Sequence, residues 1–117
     1  MPTPAFHVAG RAGANSGIHI LHVQGAITHT TAPAFQQAVG TAAAPLGLII
    51  DLREVPSVDS MAIGALVRAY VACNKAGRKL ALVGLNHRVA NVLRLTGVDS
   101  LFATYSDVAE AESVLSS

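Results

Sequence analysis

Hydrophobic and polar positions along the chain fall into short blocks punctuated by Gly, Pro and Asn. In IHILHVQGAIT, residues 18–28, Ile18, Ile20 and Leu21 are set against His19 and His22, the alternation of a strand. AFHVA, residues 5–9, predicts a short strand before it. GRAGANSG, residues 10–17, holds three glycines with Asn15 and Ser16, so the two strands should close as a hairpin around it. Pro2 and Pro4 mark a loose start. LGLIIDL (46–52) and KLALVG (79–84) are nearly continuous apolar runs of strand length, the pattern of strands buried on both faces.

Helical spacing fills the intervals. APAFQQAVGTA puts Phe35, Ala38 and Val39 on one side, with Thr30 or Thr31 as cap and Pro33 in the first turn. SMAIGALVRAYVACNKAG, residues 60–77, predicts a long helix stopped at Gly77 with Lys75 in its last turn. Asn86 can cap HRVANVLRLTG, whose Val89, Val92, Leu93 and Thr96 share a face and whose stop is Gly97. SLFATYS predicts a last short strand, and DVAEAESVLSS a closing helix with an Asp cap. Strand 46–52, helix 60–77 and strand 79–84 form a parallel βαβ unit with a right-handed crossover. The expected architecture is α/β: a mixed sheet of four to five strands, an N-terminal hairpin, one parallel βαβ unit and about four helices. No repeat or boundary divides residues 1–117, which read as one domain.

Composition narrows the function. The chain is 51% hydrophobic and only 13% charged, with a net charge of +1 and an isoelectric point near 8.0. The basic residues are scattered, so nucleic-acid binding has no electrostatic footprint. No apolar run approaches the ~18 residues of a membrane span, which argues against membrane insertion. The N-terminus lacks the pattern of a signal peptide. Cys73 is the single cysteine, so no internal disulfide can form. Its helical spacing from Ala65, Leu66 and Ala69 marks it as a core residue. A soluble cytoplasmic protein is expected.

Catalytic and metal chemistry find little support. No phosphate-cradling glycine pattern appears. Asp51, Glu54 and Asp59 cluster near one strand end, and such carboxylates are read as solvated caps rather than a catalytic pair. Four of the five histidines, His7, His19, His22 and His29, lie early in the chain. His19 and His22 should point to opposite faces of a strand, and these histidines read as surface or strand-edge residues. The chain is therefore expected to be neither an enzyme nor the carrier of a cofactor or metal.

Asp59 and Ser60 stand apart. Both residue types suit a helix N-terminus, so Asp59 reads as the cap and Ser60 as the first helical residue. A second reading is open. The pair follows a buried strand, and binding sites in open α/β sheets lie beyond the carboxyl ends of strands. A helix N-terminus tolerates anions, so a phosphate on Ser60 could add roughly −1.5 to −2 charge without breaking the helix.

LIIDLREVPSVDSMAIGAL, VANVLRLTGVDSLF and IHILHVQGAIT, in that spacing, make the chain resemble the sulfate transporter and anti-sigma factor antagonist (STAS) domain in its stand-alone bacterial form. The resemblance covers nearly the whole chain. Its signature is a strand, Asp-Leu, a few residues and then Asp-Ser-Ser/Thr-Gly-Leu-Gly. The resemblance implies an anti-sigma factor antagonist working by partner switching. The unphosphorylated form would bind an anti-sigma factor serine kinase of histidine-kinase-like ATPase fold and free the sigma factor. Phosphorylation of Ser60 would reverse this, and a phosphatase would reset it. The signature aspartate falls on Asp59, the phosphoacceptor on Ser60 and the second signature glycine on Gly64.

The chain departs from the pattern in two single residues and one short stretch: Met61 stands where Ser or Thr is common, Ala62 replaces the first glycine, and Ala26-Ile27-Thr28 replaces Glu-Leu-Asp. Gly64 inside a helix points to close approach of another chain or strand. The implied partner surface comprises Asp59, Ser60, Met61, Gly64 and Arg68, with the loop 56–59, and Thr28 and His29 beside it. Thr30 lies on the same loop, and Val71 and Lys75 continue the row along the helix. The resemblance also admits an alternative: an unphosphorylated cytoplasmic STAS subunit of a bacterial lipid-transport ATPase complex.

Overall fold

A computed structural model of the chain describes residues 5–14, 17–42 and 44–116. The expectations for Pro2, Pro4, Asn15 and Ser16 lie outside these residues. Five strands, β1 (His7–Ala12), β2 (Ile18–Gln24), β3 (Gly47–Glu54), β4 (Lys79–Val83) and β5 (Ala103–Tyr105), lie in sequence order in one sheet. β1 pairs antiparallel with β2, and the remaining neighbours are parallel. Between and after them run α1 (Ala32–Thr41), α2 (Ser60–Lys75), α3 (His87–Leu95) and α4 (Val108–Leu115). The mixed five-stranded sheet with four helices is the architecture expected from the sequence.

Strand alternation divides the interior into two cores. Leu21, Val23, Leu48, Ile50, Leu52 and Leu82 face one side, where α1, α2 and α3 contribute Phe35, Leu66 and Leu93 among others. Ile18, Ile20, Ile49, Ala81 and Val83 face the other side, covered by Val108, Ala111 and Leu115 of α4. The apolar runs in β3 and β4 thus serve both cores, as strands covered on both faces must. Cys73 is buried in the first core. No helix among the described residues is long and apolar enough to cross a membrane.

Several boundaries differ from the sequence reading. β1 runs on to Ala12, where turn chemistry was expected, because Gly10, Arg11 and Ala12 pair with Leu21, Ile20 and His19 of β2. Gly10 suits that place, since a Cβ there would lie 2.6 Å from His19 Nε2. β3 continues to Glu54, and α2 ends at Lys75, just ahead of Gly77 in its left-handed turn. Thr31 occupies the N-cap position of α1 but makes no side-chain cap; its hydroxyl accepts from Thr28 N and donates to Ala26 O. Thr96, expected on the apolar face of α3, is exposed and turns its hydroxyl to the carbonyls of Val92 and Leu93. Asn86 and Asp107 cap α3 and α4 through side-chain oxygens, as predicted.

Candidate functional site

The sheet delivers two loops to one end. β2 continues through Gly25 into residues 26–31, and β3 into residues 55–59. A parallel bridge between Ile27 and Val58 ties them, with Ile27 N donating to Ser57 O at 3.2 Å and Asp59 N to Ile27 O at 3.2 Å. Ile27 and Val58 are buried, so the knot is anchored in the core and its polar residues face out.

Asp59 joins the loops to α2. Its backbone is extended, and its Oδ1 accepts from Met61 N at 3.0 Å and Ala62 N at 3.1 Å. Its Oδ2 accepts from His29 N at 2.8 Å, with His29 Nδ1 3.7 Å away. Partial desolvation raises the Asp59 carboxyl, but the N–H groups of Ala62, His29 and Met61 outweigh it and hold it below the ordinary carboxylate value. Asp59 is thus an N-cap whose two oxygens are both committed.

Ser60 follows as the first helical residue and is exposed, and among the described residues its hydroxyl makes no hydrogen bond. Met61 beside it is 50% exposed. One turn on, a Cβ at Gly64 would touch no strand; its nearest neighbour would be Arg68 Nη1 at 3.4 Å. The close approach expected at Gly64 is therefore that of an arginine head, not of another element of the fold. Arg68 also donates through Nη2 to Gln36 Oε1 at 3.2 Å, cross-linking α2 to α1. Val71 and Lys75 extend this exposed row.

The structure accordingly gathers Thr28, His29, Asp59 and Ser60 at one knot, with Met61, Gly64 and Arg68 running away along α2. Thr28 is engaged locally, its hydroxyl accepting from Thr30 N at 3.2 Å.

A second cluster escapes the sequence reading. Asp51 is only 2% exposed, not a solvated cap. Arg53 forks onto it, with Nη2 2.7 Å from Oδ2 and Nε 3.0 Å from Oδ1, and Arg53 N also donates to Oδ1 at 3.1 Å. From β2, His22 places Nδ1 3.0 Å from Asp51 Oδ2 and Nε2 against Glu54 Oε2, which Gln24 also meets. Burial raises the Asp51 carboxyl, but the Arg53 and His22 hydrogen bonds outweigh it and lower its pKa. The His22 pKa is raised, chiefly by the Asp51 hydrogen bond and against the effect of burial. The signal available in the sequence was a polar residue late in each of two apolar strands; the register His22 opposite Asp51 makes them partners. As expected, His19 and His22 sit on opposite faces, His19 level with Leu48 of the first core. Beyond this cluster, a shallow cavity of about 550 Å³ opens at the carboxyl ends of the strands between Gln24, Ala26, Glu54, Pro56 and Asn86.

Comparison with known proteins bears on the family and the fold. The STAS domain family model matches residues 11–111. Over 64 residues the chain is 33% identical to proteins of Thermotoga neapolitana and Thermotoga maritima that their names provisionally class as anti-sigma factor antagonists. That alignment takes in 55% of this chain and 57% of each relative, so the chain matches little more than half their length. It is 30% identical over 83 residues to the anti-sigma-B factor antagonist of Listeria monocytogenes, covering 69% of this chain and 73% of that one. The crystal structure of an anti-sigma factor antagonist from Mycobacterium paratuberculosis superposes with a TM-score of 0.85 at 25% identity, covering 97% of this chain and 96% of that one.

Proposed function

The chain belongs to the STAS domain family, and from that membership we propose that it is an anti-sigma factor antagonist that acts by partner switching at Ser60. The observation that carries this reading is the exposed, uncommitted Ser60 hydroxyl at the mouth of α2, beside a cap that holds the local backbone in place. The names of the Listeria and Mycobacterium relatives support the antagonist part of this reading.

In its unmodified form the protein docks on an anti-sigma factor, and this releases the sigma factor. The docking surface consists of Thr28, His29, Asp59, Ser60, Met61, Gly64 and Arg68. Met61 supplies apolar area, and Gly64 leaves a flat spot on which a partner can lie close. The partner is a serine kinase of histidine-kinase-like ATPase fold. Ser60 Oγ forms a bond to the γ-phosphorus of ATP held by the kinase, the bond to the ADP oxygen breaks, and the hydroxyl proton passes to a base on the kinase. Asp59 is not that base: its oxygens already accept three N–H groups, and its pKa is lowered. Its role is to position Ser60. The phosphate places about −1.5 to −2 charge in the centre of the surface and dissociates the complex. A phosphatase restores the binding form.

Partner capture from native cells with three baits, the natural protein, Ser60→Ala and Ser60→Asp, tests the reading. The natural and Ala baits should retain an anti-sigma kinase that the Asp bait loses. If all three instead retain the same transporter subunits, Ser60 is a helix cap only and the proposal is wrong.

A further inference from the structure

We propose that a phosphate on Ser60 is held by Arg68 of the same chain, which leaves Gln36 and extends from beside Gly64 toward Ser60 as an intramolecular latch. This rests on Ser60 being modified as proposed above and names what the modification does to the surface.

The geometry comes from the spacing 60, 64, 68 along one face of α2. Side chains on a helix lean toward its N-terminus, so a long side chain at Arg68 reaches back over the position one turn earlier. Gly64 stands at that position, and the Arg68 Nη1 lies 3.4 Å from where its Cβ would be. Ser60 is the next residue up the same face, about 5–6 Å further between Cβ positions. Ser60 is the first helical residue, where no preceding turn restricts its rotamer, so a phosphoryl group on it can turn back along the helix and cover part of that interval while the reach of Arg68 covers the rest.

Local electrostatics favour such a cation. The N–H groups of Met61 and Ala62, which would otherwise receive an anion at this helix end, are occupied by Asp59. The phosphate therefore meets a carboxylate of like charge at a helix end where two of the N–H donors are already taken. Two other groups flank it. His29 is turned toward Asp59 and largely solvated, and Met61 carries no charge. Arg68 is nearer to Ser60 on this face of α2 than Lys75, and its present partner, the neutral amide oxygen of Gln36, is a weak competitor. Hydrogen bonds between guanidinium and phosphate are charge-assisted and two-pronged, roughly twice as strong as neutral ones.

Two consequences follow for the partner surface. The guanidinium that already lies beside Gly64 is fixed there by the phosphate, so it no longer clears the strip for a partner. The Arg68 link to α1 opens. Phosphorylation then acts by covering the strip as well as by adding charge.

The test encodes phosphoserine at position 60 during translation, so no kinase is needed and the latch is read independently of partner switching. The second phosphate ionisation, ordinarily near pH 6, is followed by ³¹P NMR in the natural background and with Arg68→Gln, Arg68→Lys or His29→Gln. With the latch, Arg68→Gln raises this ionisation by about half a pH unit, and Arg68→Lys raises it by less because the charge is kept without the fork. His29→Gln leaves it nearly unmoved. The Gln36 side-chain amide resonances shift on phosphorylation in the natural background and not with Arg68→Gln. An ionisation that Arg68→Gln does not move, or that only His29→Gln moves, overturns the latch. Loss or retention of the anti-sigma factor by the phosphoprotein bears on the Ser60 switch and is read in the capture experiment.

Discussion

His22 Nδ1 stands 3.0 Å from Asp51 Oδ2 across two parallel strands, and the other ring nitrogen of His22 faces Glu54. With a carboxylate at each nitrogen, the ring is best satisfied as the doubly protonated imidazolium, which donates twice. The pair ties the end of β2 to the end of β3, ahead of the loops that carry Thr28, His29 and Asp59.

Stability should therefore fall as the solution turns alkaline. The folded-state pKa of His22 is raised above 6.5, so the native chain holds this proton more tightly than the unfolded chain. The contribution is complete below the unfolded value and is lost as pH rises through the higher folded value. Urea unfolding from about pH 5.5 to about pH 8.5 should show natural protein losing stability relative to His22→Gln. At the acid end His22→Gln should cost about 1.5–3 kcal/mol, the worth of a hydrogen bond to a charged group. Parallel pH curves for the two proteins would show that the imidazolium is not held as described. Asp51 acts in the opposite direction: its lowered pKa gives stability above 3.8 that drains as pH falls below it.

Arg53 owes its posture to Gly84. A Cβ at Gly84 would lie 2.0 Å from Arg53 Cγ, and the backbone there has φ +70°, so both space and conformation exclude a side chain. Gly84→Ala should cost about 2–3 kcal/mol, from the left-handed backbone and from displacement of the arginine stem. Displacing Arg53 removes the fork from buried Asp51, so the variant should also show a higher acid-unfolding midpoint than the natural protein. A stability loss of the same size at neutral pH and below the Asp51 titration would separate the glycine from the ion pair.

How far the sequence could be read depended on whether a feature was local. β3 and β4 are unbroken apolar runs, and the caps at Asp59, Asn86 and Asp107 are single-residue signals, so the sheet and the helix starts were legible. The end of β1 was not, because Gly10-Arg11-Ala12 has turn composition and becomes a strand only through pairing with β2. Asp51 looked like a solvated carboxylate because its partner His22 lies 29 residues away and is brought opposite only by strand register. At the candidate site, the cap at Asp59 and the start of α2 at Ser60 were legible from local signals, and the grouping of Met61, Gly64, Arg68, Thr28 and His29 around them came from the resemblance. The link of Arg68 to Gln36, and the arginine lying over Gly64, depend on side-chain direction and on α1 and were missed.

Gly64 exchanges stability for surface. No part of the fold needs it: an added methyl would make only an ordinary 3.4 Å contact with Arg68. Gly in a helix interior is disfavoured by about 0.5–1 kcal/mol against Ala, so Gly64→Ala should raise stability by that amount. The same methyl roughens the strip on which the proposed partner lies. Calorimetric titration with the anti-sigma factor should show binding weakened about tenfold or more, equivalent to about 1.4 kcal/mol. A variant both more stable and equally tight would remove Gly64 from the docking surface.

Ser60 itself should be almost silent in stability. It is exposed, its hydroxyl has no hydrogen bond among the described residues, and the capping of α2 is done by Asp59. Ser60→Ala and Ser60→Asp should therefore unfold within about 0.5 kcal/mol of the natural protein. For the Asp variant, attraction to the helix end is offset by repulsion from Asp59, which keeps the net effect small. Binding should separate them sharply. The Ala variant should hold the anti-sigma factor with natural affinity, while the Asp variant buries an unmatched charge in the interface and should lose about 100-fold or more, the several kcal/mol expected of such a mismatch. Equal stability makes that comparison clean, because neither loss nor retention of binding can then be assigned to unfolding. Equal affinity of the two variants would exclude charge at Ser60 as the switch.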